Sequence, residues 1–170
     1  IENIMEGRVR GRHFQGVATI VEKLLSIFLP TNAYFGEKDF QQLQIIRSLV
    51  DQKKILSNII SCSTFRDNNG LALSSRNSFL TDSERKKASF IFEQLNIAKS
   101  LWGIENPETI IQKIKASFLK KDDFVLDYFD IRFEGSLINV KKKSKKKVRA
   151  FIAAKIGKTR LIDNLALYEF

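Results

Sequence analysis

The sequence predicts an α/β protein in two parts, a doubly wound parallel segment followed by a small α+β segment. The first part alternates helix, strand, helix, strand, the order in which parallel strands are joined by right-handed crossovers. The last part instead carries strand-like runs with hairpin-type connections, which favours antiparallel pairing. Between them lies the polar, glycine-containing loop "RDNNGLALSSRNSF" (66–79). The domain division is accordingly placed at 78/79, giving parts 1–78 and 79–170.

Taken in order, "GVATIVEKLLSIFLP" sets Val17, Ile20, Val21, Leu24, Leu25 and Phe28 at helical spacing and stops at Pro30. "NAYFG" reads as a short strand ending at Gly36. "DFQQLQIIRSLVDQKK" is a second amphipathic helix, with Phe40, Leu43, Ile46, Leu49 and Val50 near one face. "ILSNIISCSTF" supplies the second strand. "TDSE" at 81–84 fits a capping box, Thr81 at the N-cap and Glu84 reaching back, and opens a helix running to about Lys99. Asn106-Pro107-Glu108 opens another, to about Lys120. "FVLDYFDIRF", "SLINV" and "VRAFIAAKI" then read as three strands.

Composition narrows the function classes. The 170 residues are 44% apolar and 28% charged, enough to bury a core. No apolar stretch approaches the ~18 residues a membrane-spanning helix requires. The N-terminus lacks the apolar core and small-residue cleavage site of a signal peptide, and it does not begin with Met, as expected of a processed chain or an excised piece. Cys62 is the only cysteine and is expected to be a buried structural thiol; His13 is the only histidine and is expected to pack. Multi-cysteine and two-histidine metal sites are thereby excluded from these residues, and no metal-ligating residue is assigned. The net charge of +10 falls to +4 without the six lysines of "KKKSKKK" (141–147). A solvated loop accounts for that run. Nucleic acid is the alternative partner, although no aromatic side chains interleave the lysines to stack on bases.

Two short segments carry candidate chemistry. Gly36-Glu37-Lys38-Asp39 lies where a strand ends and a helix begins, and ligands of parallel α/β sheets bind beyond the carboxyl ends of the strands. A helix N-terminus favours an anion, so Lys38 stands at the electrostatically wrong end unless a bound phosphate offsets it. Asp39 as helix cap, with Lys38 in water, is the plain alternative. Gly36 would then serve only a tight turn, and Gln41 and Gln42 would be ordinary helix residues. Leu73-Ser74-Ser75-Arg76 is the second segment. Hydroxyls, loop amides and a guanidinium within four residues suit a polyphosphate, although a polar loop before a helix is the plainer reading of the segment taken alone.

The residues "HFQGVATIVEKL…P…AYFGEKDFQQLQIIRSLV…RDNNGLALSSRNSFLT" strongly resemble the pantothenate synthetases, the pantoate–β-alanine ligases, in order and at family spacing. The likeness runs from about 5 to 85 and continues more loosely to "TRLIDN" (159–164). It implies the second half of a Rossmann-like nucleotidyltransferase domain, followed by the family's α+β lid domain. It also implies a homodimeric, cytoplasmic enzyme of pantothenate biosynthesis, on the coenzyme A pathway. In that family pantoate's carboxylate attacks the α-phosphate of ATP, with Mg²⁺ present, to give pantoyl adenylate and pyrophosphate. β-Alanine then displaces AMP.

By motif, the resemblance assigns Gly36, Glu37, Lys38, Asp39, Phe65, Leu73, Ser74, Ser75 and Arg76 to ATP. Lys38 and Arg76 are the implied catalytic residues, Asp39 meets the ribose, and Phe65 lines the adenine pocket through its backbone. Gln42, Ile20 and Val21 are assigned to pantoate. The chain departs from the family at Gln15, where "HFRGV" is usual, and at Asn69, where "ADGLA" is usual. The family's His-x-Gly-His signature needs two histidines, so the expectation is a C-terminal part carrying half of an active site, inactive alone.

Overall fold

Helix, strand, helix, strand is the order that Ile1–Thr64 adopts in the computed structural model, which describes residues 3–168. A short helix α1 (Met5–Arg10) precedes α2 (His13–Phe28), β1 (Asn32–Gly36), α3 (Phe40–Lys53) and β2 (Asn58–Cys62). The two strands pair in parallel, Asn32 opposite Asn58 through to Gly36 opposite Cys62. Parallel neighbours need a crossover, and α3 is that crossover. Leu29 closes α2 in the left-handed conformation (φ 44°), its N–H donating to the Leu25 carbonyl at 3.0 Å, just before Pro30.

The core of this unit gathers around α3, with Phe40, Leu43, Ile46 and Val50 buried together with Met5, Phe14 and Leu25. Of the apolar face expected on α2, only Leu25 is buried; Ile20, Leu24 and Phe28 are exposed. Gln41 takes an unexpected part. Its Nε2 donates to the Ile4 carbonyl (3.0 Å) and its Oε1 accepts from the Glu6 N–H (3.1 Å), so a buried amide ties the start of α1 to α3. Gln41 is therefore no ordinary helix residue.

Phe65–Phe170 forms the second compact unit. The division at 64/65 lies upstream of the 78/79 read from sequence, because residues 66–76 bond to the later strands: Arg66 to Asp163, and Arg76 to the Arg160 carbonyl. Helices α4 (Asp82–Ala88), α5 (Phe90–Leu101) and α6 (Pro107–Phe118) precede the antiparallel sheet β3 (Phe124–Phe133), β4 (Val148–Ile156) and β5 (Thr159–Ala166), in order β3-β4-β5. The capping box is present: the Glu84 N–H donates to Thr81 Oγ1 (3.2 Å), while Glu84 Oε2 accepts from the Thr81 N–H (2.8 Å). Those bonds from Thr81 hold the Glu84 carboxyl below its ordinary value. In place of the single helix expected from Thr81 to Lys99, the helix is interrupted at Ser89.

Strands β3 and β4 coincide with the expected runs, but "SLINV" is not the third strand. It folds back on β3 through a left-handed Leu137 (φ 55°) and a bond from the Val140 N–H to the Ile131 carbonyl (2.9 Å). β4, buried along nearly its whole length, takes β5 as its second neighbour across the two-residue turn at Gly157. Ile91, Leu95, Ile110 and Ile114 of the helices pack with Phe129, Ile131 and Ile152 of the sheet. Phe118 stands edge-on to Phe90 and Phe124, with centroids 5.0 and 5.8 Å away. Among the described residues no helix is long and apolar enough to cross a membrane.

Candidate functional site

In the first unit the candidates Gly36–Asp39 lie at the carboxyl end of β1. Gly36 ends β1 opposite Cys62, which ends β2. Cys62 is exposed, not buried as expected: it ends β2, a strand of which no residue is buried. Glu37–Asp39 forms one 3₁₀ turn, after which α3 begins at Phe40. Lys38 thus lies just ahead of the α-helix instead of inside its first turn, two residues before the N-terminus of α3, where the macrodipole is positive.

The plain reading of this turn is not the one the geometry takes. Asp39 occupies the N-cap position of α3 but makes no side-chain capping bond. Its carboxylate stands 4.0 Å from Lys38 Nζ, beyond hydrogen-bond distance. The Lys38 side chain is only 18% exposed, so it does not simply extend into water. Gly36 has φ −71°, a value any residue adopts, and a Cβ there would meet nothing within 4 Å. Neither backbone strain nor packing asks for glycine at this position; close approach of a ligand would.

Gln42 lies on α3 directly after the buried Gln41 and is half-buried. On α2, Ile20 is exposed and Val21 half-buried. The lone His13 opens α2 with its ring centroid 5.3 Å from that of Phe14, the packed arrangement expected of it.

In the second unit the chain from Phe65 to Arg76 forms a tight ladder. The Leu73 N–H donates to the Phe65 carbonyl (2.9 Å), Arg66 bridges Ala72, and the Asp67 N–H donates to the Leu71 carbonyl (3.0 Å). Asp67 Oδ1 accepts from the Asn69 and Leu71 N–H groups, and Gly70 turns with φ +89°. Phe65 and Leu73, both assigned from sequence, are therefore brought together, with both side chains exposed. The Phe65 carbonyl is occupied by this ladder.

Ser74 then starts a second 3₁₀ turn, Ser75–Phe79, its Oγ accepting from the Arg76 N–H at 3.2 Å. Ser75 is exposed, and Arg76 is steadied by one bond from Nη1 to the Arg160 carbonyl (3.3 Å). Two hydroxyls, turn amides and a guanidinium held at one point have the chemistry to take phosphate oxygens. Asn77 carries no role in the sequence reading. It is buried, its Nδ2 donating to the Ala72 carbonyl (3.1 Å) and its Oδ1 meeting no donor among the described residues. An amide next to a polar, hydroxyl-rich run gives no sequence signal of burial, so nothing in the local pattern could have found it.

The 141–147 lysines are exposed as expected, save that Lys143 Nζ reaches the Gly103 and Ile104 carbonyls beyond the end of α5. Among the described residues no group of three or more His, Cys, Asp or Glu side chains could hold a metal ion.

Residues 1–166 match the family described as Pantoate-beta-alanine ligase. The chain is 47% identical over 168 residues to a pantothenate synthetase of Flavobacterium psychrophilum, covering 98% of the chain and 60% of that relative. The crystal structure of pantothenate synthetase from Thermus thermophilus superposes with a TM-score of 0.93 at 34% identity, over 99% of this chain and 61% of that one. A pantoate-beta-alanine ligase from Francisella tularensis, complexed with beta-gamma ATP and β-alanine, matches with a TM-score of 0.72 at 37% identity, over 99% of this chain and 56% of that one. The chain thus spans about three fifths of the length of the curated relatives it matches.

Proposed function

The chain belongs to the pantoate–β-alanine ligase family, and from that premise we propose that it contributes to the ATP-dependent condensation of pantoate with β-alanine. Pantoate's carboxylate oxygen bonds to the α-phosphorus while the bond to pyrophosphate breaks. The β-alanine nitrogen then bonds to the acyl carbon, losing a proton, as AMP departs. The family match takes in the lysine run, so the nucleic-acid alternative is set aside.

Lys38 carries the reading. It is a mostly buried cation just past the carboxyl end of β1, in the turn that precedes the N-terminal end of α3. A cation there, with helix N–H groups, would stabilise the charge that builds on the α-phosphate as pyrophosphate leaves. Gly36, with open space above its Cα, would let phosphate approach the backbone, alongside Glu37. Asp39 would accept from the ribose hydroxyls. Gln42 would hydrogen-bond pantoate, with Ile20 and Val21 against its methyl groups.

Ser74, Ser75 and Arg76 would hold phosphate oxygens, Arg76 adding catalytic charge. Phe65 and Leu73 would border the adenine. Mg²⁺ would enter on the triphosphate and neutralise part of its charge. Most of the catalysis is positioning and electrostatics, since the reacting groups are supplied by the substrates. A homodimer and a cytoplasmic location complete the proposal.

The test is AMP release by the complete polypeptide that carries these residues. Release that requires ATP, Mg²⁺, pantoate and β-alanine together supports the reading. Release without pantoate, or none with all four, contradicts it.

A further inference from the structure

We propose that Arg66 is a positioning residue for the adenine nucleotide: clamped on Asp163 and stacked on Phe92, it fixes the Phe65–Leu73 ladder that leads into the Ser74–Arg76 turn. The inference rests on the nucleotide site proposed above, and adds a residue to which neither the motif nor the resemblance gave a role.

Arg66 follows the exposed Phe65 and turns inward. Nη1 meets Asp163 Oδ2 at 2.6 Å and Nη2 meets Oδ1 at 3.0 Å, a fork-to-fork pair in which the arginine side chain is 16% exposed and the aspartate 4%. Nη1 also donates to the Gly70 carbonyl at 3.0 Å, inside the turn of the ladder. The guanidinium carbon lies 3.8 Å from the centroid of the Phe92 ring on α5. Gly70 backs onto the same ring, where a Cβ would come within 2.4 Å of Phe92 Cδ1. The ladder is therefore held by a strand carboxylate, by a helix ring and by its own turn.

A second clamp closes the other end, where Asn77 Nδ2 holds the Ala72 carbonyl (3.1 Å), and Ala72 is the residue bridged to Arg66. The adenine and phosphate residues proposed in this unit thus lie beside Arg66 or between it and Asn77. A ladder this short does not stay ordered by its own bonds. For stability alone an apolar pair would serve as well, since burying two charges costs about what their attraction returns. What the fork adds is direction: five donors in one plane set both the height and the rotation of the ladder over β5, which a lysine's point charge cannot do.

The experiment is titration calorimetry of Mg-ATP and of pantoate on the complete polypeptide, with Arg66→Lys, Asp163→Asn and Phe92→Leu, and a melting temperature for each. Arg66→Lys and Asp163→Asn should weaken ATP binding by about tenfold or more while pantoate binding stays within about twofold. Phe92→Leu, which removes the ring that stacks on the guanidinium and backs Gly70 but leaves the Arg66–Asp163 fork, should weaken ATP in the same direction by roughly threefold. ATP binding at the unsubstituted level in folded variants overturns the role, and so does a loss of ATP and pantoate binding in step with the melting temperature. If the two charge variants do not fold, Phe92→Leu decides: unchanged ATP affinity overturns the role. An unsubstituted protein that binds no ATP overturns it too. One that binds ATP but releases no AMP with pantoate and β-alanine overturns the reaction proposed above and leaves this test standing.

Discussion

Gly36 and Cys62 face each other at the last register position of the parallel pair β1–β2, so both strands deliver their carboxyl ends to the same point. The turn containing Lys38 starts from that point. Because the Gly36 backbone is ordinary and its surroundings open, Gly36→Ala should leave the fold intact, with a stability change within about 0.5 kcal/mol. Its effect should fall on ATP, whose affinity drops by about tenfold if a phosphate packs against the glycine Cα. Urea denaturation and ATP titration read the two quantities separately. A destabilised variant, or unchanged ATP affinity, would remove Gly36 from the site.

Gly70 makes the opposite case. Its φ of +89° strains any other residue, and an added Cβ would lie 2.4 Å from Phe92 Cδ1. Gly70→Ala should destabilise the second unit by about 1–3 kcal/mol or more, visible as a lower denaturation midpoint. An unchanged midpoint would mean that the turn relaxes without cost.

Tyr168 supplies a pH signature. Burial, followed by the hydrogen bond to Glu134 Oε2 (2.7 Å), pushes its phenol up to about 12 from an ordinary 10.0. A raised pKa favours the protonated form in the folded state. Its stabilisation is therefore complete below pH 10 and disappears as pH rises toward 12. Tyr168→Phe should abolish that part of the alkaline loss of stability, measured as melting temperature against pH. A profile unchanged by the substitution would contradict it.

Periodicity carries much of the fold, and for identifiable reasons. The segments 124–133 and 148–156 read as strands because their apolar runs are long and β-rich, and they form β3 and β4 over those limits. "TDSE" reads as a capping box because each side chain in it has one obvious partner. β5 does not read as a strand because "TRLIDNLA" mixes buried Asp163 and Asn164 among its apolar residues, and their burial depends on Arg66 and Arg149, distant in sequence. The clamping roles of Gln41 and Asn77 are illegible likewise, since an amide's partner carbonyl leaves no trace in local pattern. The α2 face misleads in another way. Helical spacing identifies an apolar stripe but not whether the residues at hand cover it, and Ile20, Leu24 and Phe28 stay exposed.

Lys38 is the centre of the account, and Lys38→Ala tests it most directly. The measurement is AMP release by the complete polypeptide under saturating ATP, Mg²⁺, pantoate and β-alanine. If Lys38 stabilises the charge developing at the α-phosphate, kcat should fall by about two orders of magnitude or more, with the melting temperature little changed. A variant that keeps most of its activity would contradict the account and return Lys38 to a structural part in the turn that precedes α3.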